Sequence, residues 1–189
     1  MKIAIFGKMR SGKNTVADIL MEEYGFNQFA FGDGIGAIID EYFPDARKSG
    51  KPREHYQHIG QQLRVLDEDV WVNCLLRRVK LSERLHRNLV GMGTKEGEYK
   101  VVVTDGRQLN EAKKLKEAGY LIIKVTAPEE IRIERMKASG DNFTKEQLNH
   151  ETELQVDLIE SDIEIFNDGT PEELENMVKS IMRGVDIYE

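Results

Sequence analysis

Short, uninterrupted runs of apolar residues recur along the chain. They occupy residues 3–6, 29–31, 101–104, 121–125 and 163–166. Continuous rather than alternating apolarity is typical of strands that are buried on both faces, as in a parallel sheet covered by helices. The pattern therefore predicts five buried strands, and the run at residues 29–31 is the weakest of them because it is the shortest.

Helical periodicity fills the intervals between these runs. It covers residues 13–24, 67–81 and 110–118. A last helix begins with Thr170 as N-cap, Pro171 at the first helical position and Glu173 where it closes a capping box. Alternating strands and helices predict an α/β fold in three layers, a mostly parallel five-stranded sheet with helices on both faces. Such sheets bind ligands at the carboxyl ends of their strands.

Length, composition and charge narrow the class of protein. The 189 residues, of which 40% are hydrophobic and 32% charged, are ordinary for one globular domain. The net charge of −7 argues against a nucleic-acid polymer as partner, because backbone phosphates bind basic surfaces. One cysteine, Cys74, excludes an internal disulfide framework. No apolar run approaches the roughly 20 residues that span a bilayer, so we expect a cytoplasmic protein with no membrane partner.

The strongest chemical signal is a glycine-rich loop between the first strand and the first helix. Residues 7–14 read GKMRSGKN, and small residues there let successive backbone N–H groups face one concavity. The helix N-terminus adds a positive dipole end, and Lys13 adds a full charge. This loop is predicted to bind phosphates through the following candidates: Gly7, Lys8, Arg10, Ser11, Gly12, Lys13, Asn14 and Thr15.

One position departs from the usual phosphate loop. The residue after the lysine is ordinarily Ser or Thr, whose hydroxyl binds Mg²⁺, whereas here it is Asn14. An amide oxygen is also a hard donor that suits Mg²⁺. Thr15 lies about 100° further around the helix and is not an equivalent replacement. Asn14 is therefore a candidate metal ligand.

Charged residues follow two further strands. Asp105 and Arg107 come directly after the third strand, where a carboxylate can organise Mg²⁺ and an arginine can bind a phosphate. The alternative is a helix-capping Asp with a surface Arg. Asp33 follows the second run between glycines, either as a group that contacts the acceptor or as an ordinary turn residue.

Two other basic segments are candidates for anion binding. Arg132 and Arg135 share one helix face and either neutralise a transferring phosphoryl group or form a solvated basic face. Residues 138–144 follow them as either a connector or a mobile lid. Residues 51–64 carry Arg53, Gln57, Gln61 and Arg64, a mixture that suits a nucleotide acceptor but also occurs on amphipathic surface helices.

Together these segments resemble the deoxynucleoside monophosphate kinase family of P-loop kinases. The family's loop carries Asp where Asn14 stands. The matching blocks are REHYQHIGQQLR, DEDVWVNCLL, TDGRQLNEAKKLKEAG and HETELQVD. The turn NDG at residues 167–169 looks like the one beneath the adenine ring in such kinases. Ser139 stands where many relatives place a further arginine, for which Arg10 and Lys137 are the candidate replacements.

The resemblance implies an ATP- and Mg²⁺-dependent phosphotransferase in a single domain, with an acceptor-binding helical segment at about 35–92 and a lid at about 136–150. ATP would contact the loop, Asn167 and Gly169. Mg²⁺ would be held by Asn14 and Asp105. Catalysis would rest on Lys13, Arg107, Arg132, Arg135 and Asp33. The acceptor would contact Asp33, Arg53, Gln57, Gln61, Arg64 and Arg107.

Three matters remain open at the level of sequence. The acceptor is either a nucleoside monophosphate or another small molecule such as dephospho-coenzyme A or phosphomevalonate, and a non-catalytic nucleotide-binding module is a further alternative. Leu81, Leu85 and Leu89 form either a core stripe or an interface, so a homodimer is possible. Residues 87–100 are interpreted as a surface loop, and the role of this loop is the third open matter.

Overall fold

The apolar runs form a parallel sheet in the computed structural model, which describes residues 1–48, 50–93, 97–139 and 154–185. Within these ranges the strands are β1 (Lys2–Phe6), β2 (Asn27–Phe29), β3 (Val101–Gly106), β4 (Leu121–Thr126) and β5 (Ile163–Phe166). Their order is β2-β3-β1-β4-β5, and every neighbouring pair is parallel. The loops that follow β1 and β3 therefore lie side by side at one edge of the sheet.

Helices connect these strands and cover both faces of the sheet. They are α1 (Lys13–Tyr24), α2 (Gly32–Tyr42), α3 (Arg53–Leu66), α4 (Val70–Gly91), α5 (Leu109–Glu117), α6 (Glu129–Ala138) and α7 (Pro171–Val185). Short 3₁₀ turns occur at Pro44–Arg47 and Val156–Leu158. Thr170 and Glu173 form the expected reciprocal hydrogen bonds before α7.

The core divides into two clusters because strand side chains alternate between the faces of the sheet. Ala4 and Phe6 of β1 belong to a cluster with α2, α4 and α5, whereas Ile3 and Ile5 belong to a cluster with α1 and α7. All four of these side chains are fully buried. The predicted three-layer fold with its five-stranded parallel sheet is confirmed.

Two predicted boundaries are wrong. The second strand is Asn27–Phe29 rather than 29–31, because the backbone N–H of Phe31 binds Asp105 and the chain turns into α2 there. Helix α4 continues to Gly91, so residues 87–91 are helical and not part of a loop. Periodicity within α4 outweighs the charged and glycine-rich composition that favoured a loop.

Of the two alternatives for the leucines of α4, a core stripe or an interface, the core stripe is wrong, since the three side chains face outward. Leu81, Leu85 and Leu89 are 60%, 55% and 44% exposed. Most of the predicted lid, from residue 140 onward, lies outside the described residues, and residues 136–139 belong to the end of α6 and the residue after it. In the described part of the chain, no helix combines the length and apolarity that crossing a membrane requires.

Candidate active site

The phosphate loop lies between β1 and α1, as predicted. Its backbone turns at Ser11, whose N–H donates to the carbonyl of Lys8 at 3.2 Å. Gly12 has a φ of 107° and Arg10 a φ of 60°, both in the left-handed region that L side chains rarely adopt. A Cβ on Gly7 would stand 2.4 Å from the carbonyl oxygen of Val125. The loop therefore depends on glycine at two of its positions.

Lys13 is held inside this loop. Its side chain is largely buried, and Nζ donates to the carbonyl oxygens of Gly7 at 2.6 Å and Lys8 at 2.8 Å. Lys8 points elsewhere and pairs with Asp157 at 2.7 Å. A fixed ammonium group at the N-terminus of α1 favours a polyphosphate, because helix N–H groups and the dipole act on the same anion.

The turn after β5 closes onto the loop through Asn167. This buried amide donates from Nδ2 to the carbonyl oxygen of Ser11 at 2.8 Å. A Cβ on Gly12 would stand 2.1 Å from the same nitrogen, so Gly12 makes room for the bond. Arg135 of α6 donates to both the carbonyl and the side-chain oxygen of Asn167 at 3.3 Å. Three segments that are distant in sequence thus meet at one point.

A cavity of about 540 Å³ opens between these segments. Its lining includes seven predicted nucleotide-binding residues together with Arg135: Arg10, Gly12, Lys13, Asn14, Thr15, Asn167 and Gly169. Pro171 and Leu174 of α7 add an apolar wall that sequence reasoning missed. The structure thus brings the predicted phosphate and adenine contacts to one cavity, while Gly7 and Ser11 shape the backbone behind it.

The α6 arginines face the loop rather than solvent. Arg132 is 3% exposed, and its guanidinium lies 3.4 Å from the carbonyl oxygen of Met9 and 3.8 Å from the Glu129 carboxylate. Arg135 also reaches the carbonyl of Arg10 at 3.5 Å. The solvated-face interpretation is therefore wrong for Arg132. Both cations lie where negative charge on a polyphosphate would be neutralised.

Asp105 is the second-last residue of β3, which runs two residues beyond its predicted end, and its side chain holds the start of α2. Its two oxygens accept the backbone N–H groups of Phe31 and Gly32 at 2.7 and 2.9 Å. Burial raises the pKa of Asp105, and the two backbone bonds and Arg107 oppose this only in part. The side chain fits the helix-capping alternative directly. Any contact with Mg²⁺ would use the lone pairs that remain.

Asp33 is the second residue of α2. Its Oδ2 accepts hydrogen bonds from the backbone of Ala30 at 3.0 Å and from Arg78 of α4 at 3.1 Å. Sequence reasoning missed Arg78, because no local pattern joins residues 45 positions apart. Asp33 therefore acts as a turn residue that also anchors a cation from α4.

The acceptor-side candidates of α3 fall into two groups. Arg53, Gln57 and Gln61 are exposed at successive turns of the helix. Arg64 instead donates to the carboxylate of Glu111 at 3.2 Å. The other oxygen of Glu111 accepts the backbone N–H groups of residues 107 and 108. The structure thus brings Arg64 and the backbone of Arg107 together through a residue that the sequence analysis did not select.

The residues present fit ATP and a weakly ligated Mg²⁺. The glycine-lined loop, buried Lys13 and the α1 N-terminus suit the phosphates, and the apolar wall of α7 suits a base. The described residues contain no cluster of three His, Cys, Asp or Glu side chains. Mg²⁺ keeps several waters and binds phosphate oxygens, so a cavity that offers few protein ligands, among them the candidate Asn14, fits this ion.

Comparison with known proteins identifies the family. The sequence profile of the family described as AAA domain matches residues 3–155. The chain belongs to the AAA domain family. No curated protein sequence matches this AAA-domain chain significantly.

Solved structures show that the AAA-domain chain has the fold of P-loop kinases. It resembles TT1252 from Thermus thermophilus at 22% identity, covering 97% of both chains with a TM-score of 0.58. A gluconokinase from Sinorhizobium meliloti 1021 gives 16% identity over 99% of this chain and 95% of that one, with a TM-score of 0.57. Shikimate kinase from Acinetobacter baumannii gives 16% identity over 100% and 94%, with a TM-score of 0.56. At these identities the likeness shows the fold.

Proposed function

We propose that this protein transfers the γ-phosphoryl group of ATP to a nucleoside or deoxynucleoside monophosphate and so forms the diphosphate. The observation that carries the proposal is the position of Arg107 and Arg64. The guanidinium of Arg64 and the backbone N–H of Arg107 both bind Glu111 just after β3, and β3 is the sheet neighbour of β1, which leads into the phosphate loop. Guanidinium groups beside a phosphate loop favour an acceptor that is itself a phosphate.

ATP and the acceptor bind on opposite sides of the phosphate loop. Asn167, Gly169 and the apolar start of α7 line the cavity that suits the nucleoside part of ATP. The opposite side holds α2, α3 and the end of β3, where the acceptor candidates lie: Asp33, Arg53, Gln57, Gln61, Arg64 and Arg107. An acceptor phosphate there would face the γ-phosphate across Lys13.

The chain's own residues would act by positioning and by neutralising charge. Lys13 binds the phosphates of ATP, while Arg132 and Arg135 approach the same loop from α6. Asp33 and its partner Arg78 orient the acceptor beside α2. An acceptor phosphate is already an anionic nucleophile, so strong general-base catalysis is unnecessary and electrostatic stabilisation dominates. Mg²⁺, when bound, would supply positive charge that offsets the negative charge of the phosphates.

A second candidate acceptor is a non-nucleotide small molecule. The names of the structural neighbours, shikimate kinase and gluconokinase, favour it at the level of fold. The arginines of the acceptor side favour the phosphorylated substrate instead. A non-catalytic nucleotide-binding module is the third candidate, motivated by Asn14 in the metal-binding position of the loop.

A coupled assay of ADP formation separates these candidates. The panel contains nucleoside and deoxynucleoside monophosphates, dephospho-coenzyme A, phosphomevalonate, shikimate and gluconate, with a reaction that lacks acceptor as control. We expect turnover that depends on one or more monophosphates. Turnover only with shikimate or gluconate would replace the proposed acceptor, and ATP binding without any transfer would favour the non-catalytic module.

A further inference from the structure

Glu111 is one of the few buried charged residues among those the structure describes. It lies in the first turn of α5 and is 4% exposed. Its Oε2 accepts the backbone N–H of Arg107 at 3.0 Å and that of Gln108 at 3.1 Å, and its Oε1 accepts a guanidinium N–H of Arg64 at 3.2 Å. One carboxylate therefore uses its two oxygens for two different tasks.

These bonds connect two parts of the acceptor side that are 47 residues apart in sequence. Arg64 belongs to the last turn of α3, and the backbone of Arg107 is the exit of β3. The Oε2 bonds, together with the side chain of Gln108, make a capping box that starts α5. The cap does not require the Oε1 bond, which serves only to hold Arg64.

The electrostatic environment of Glu111 indicates that its ion pair with Arg64 does not serve to stabilise the fold. Burial raises the pKa of Glu111, so the environment opposes the charged form that Arg64 needs. A buried ion pair is weak support for stability, because well-packed apolar residues often do as well. Its value lies in fixed geometry, since a guanidinium whose direction is set in advance loses less conformational freedom when it binds an anion.

We propose that Glu111 is a positioning residue for the acceptor phosphate, acting through the side chain of Arg64 and the backbone of Arg107. This inference rests on the proposed function, because it takes the acceptor to be an anion bound on the α3 side. Glu111 does not touch the substrate. It sets the direction from which two arginines reach the acceptor phosphate, while the ATP cavity on the far side of the loop is independent of it.

The substitution Glu111→Gln tests the Arg64 bond with little change of shape. The glutamine oxygen can still accept the two backbone N–H groups, but its amide opposes the guanidinium with a second donor. We expect the acceptor KM to rise about tenfold, the size of one lost charge-assisted hydrogen bond. The KM for ATP should change less than about twofold, because no Glu111 bond reaches the cavity.

A double-mutant cycle with Arg64→Ala decides whether Glu111 acts through Arg64. We expect each single variant to raise the acceptor KM and the double variant to be little worse than Arg64→Ala alone, since both remove one interaction. Fully additive effects would overturn the Arg64 part of the proposal. Equal rises in the KM for ATP and for acceptor, or no change in either, would overturn it entirely.

Asp162→Asn is the matched control. Asp162 also accepts one backbone N–H, from Ile122 at 2.8 Å, and pairs with one cation, Lys116 at 2.8 Å. It lies just before β5, at the opposite end of the sheet from the loop. We expect this variant to leave both KM values within about twofold of wild type, because the pair is partly exposed, contributes little to stability and lies far from the loop. Thermal unfolding of all variants checks that each is folded.

Calorimetric binding of a monophosphate separates failure of this inference from failure of the proposed function. If wild type turns over a monophosphate and Glu111→Gln behaves like wild type, the inference fails and the function stands. If wild type binds the monophosphate without transfer, the function fails, and the Kd of Glu111→Gln takes the place of KM. If wild type binds no monophosphate, both are overturned.

Discussion

The side-chain amide of Asn167 bonds to the backbone carbonyl of Ser11 at 2.8 Å, which joins the turn after β5 to the phosphate loop. Gly12 permits this approach because a Cβ there would occupy the space of the amide nitrogen. Arg135 binds the same asparagine from α6. The ATP side of the site is thus assembled by long-range contacts and not by the loop alone.

Asn167→Ala is expected to weaken ATP binding selectively. The loss of a buried hydrogen bond leaves the Ser11 carbonyl unsatisfied, at about 1–3 kcal/mol, and should raise the KM for ATP roughly tenfold while the acceptor KM changes little. Steady-state kinetics with each substrate varied in turn measures this. Asn27→Ala is the control, because it removes a similar amide-to-carbonyl bond, to Lys100 at 3.0 Å, at the other end of the sheet. A larger effect on acceptor than on ATP would contradict the assignment.

Lys13→Ala is expected to lower the rate of phosphoryl transfer at least about a hundredfold, which corresponds to about 3 kcal/mol in the transition state. The reason is that Lys13 is the full positive charge held inside the loop. Single-turnover kinetics at saturating ATP measures the change. Lys179→Ala, which removes a partly exposed lysine of α7 that pairs with Glu175 and with Glu23, should leave the rate unchanged. Near-normal turnover in Lys13→Ala would remove the loop from the mechanism.

The raised pKa of Asp105 predicts a definite pH dependence of stability. Its native pKa lies above the ordinary value of 3.8 because of burial, so the native state binds the proton more tightly than the unfolded chain does. The resulting stabilisation is complete below 3.8 and is lost as pH rises through the native pKa. Asp105→Asn lacks this titration.

Urea unfolding of wild type and Asp105→Asn over a pH series tests this sign. The advantage of wild type in free energy of unfolding should shrink as pH rises from 3.8. Glu111 shifts in the same direction, and the charge of Asp105 is one cause of that shift, so the comparison reports the loss of the Asp105 titration together with its effect on Glu111. An advantage that grows with pH would show that the paired, charged form of Asp105 is the stabilising one.

Two leucines of α4 should respond in opposite ways. Leu75 is 1% exposed, so Leu75→Ala should destabilise the protein by about 2–5 kcal/mol. Leu85 is exposed, so Leu85→Ala should change the free energy of unfolding by less than about 0.5 kcal/mol. Chemical denaturation measures both. Light scattering on the same samples tests whether the chain forms a homodimer, and a strong, concentration-dependent destabilisation by Leu85→Ala would indicate that copies pair over this helix.

The sequence predicted those features that contiguous residues determine. The strand, loop and helix around Lys13 follow from an apolar run, two glycines and a periodic stripe within 24 residues. The capping box of Thr170 and Glu173 is likewise local. The second strand was placed two residues late because FAF is the most apolar triplet there, whereas the strand ends where Asp105 captures the backbone of Phe31.

The features of the site that sequence reasoning missed depend on tertiary contacts. Arg64 was predicted to bind the acceptor directly, but its contact with buried Glu111 is visible only once α3 packs near α5. No local sequence pattern indicates that Arg78 pairs with Asp33, or that Leu174 lines the cavity. A charged residue looks equally solvent-exposed in a sequence whether or not the fold buries it.

The strand order also has a consequence for synthesis of the chain. β1 is the central strand, yet its partners β3 and β4 begin at residues 101 and 121. At a translation rate of about 5–20 residues per second, the apolar segment of β1 emerges roughly 5–20 s before its first partner. Parallel pairings over such separations close late and slowly. On the ribosome, the β1 segment therefore remains without its sheet partners until the middle of the chain has been made.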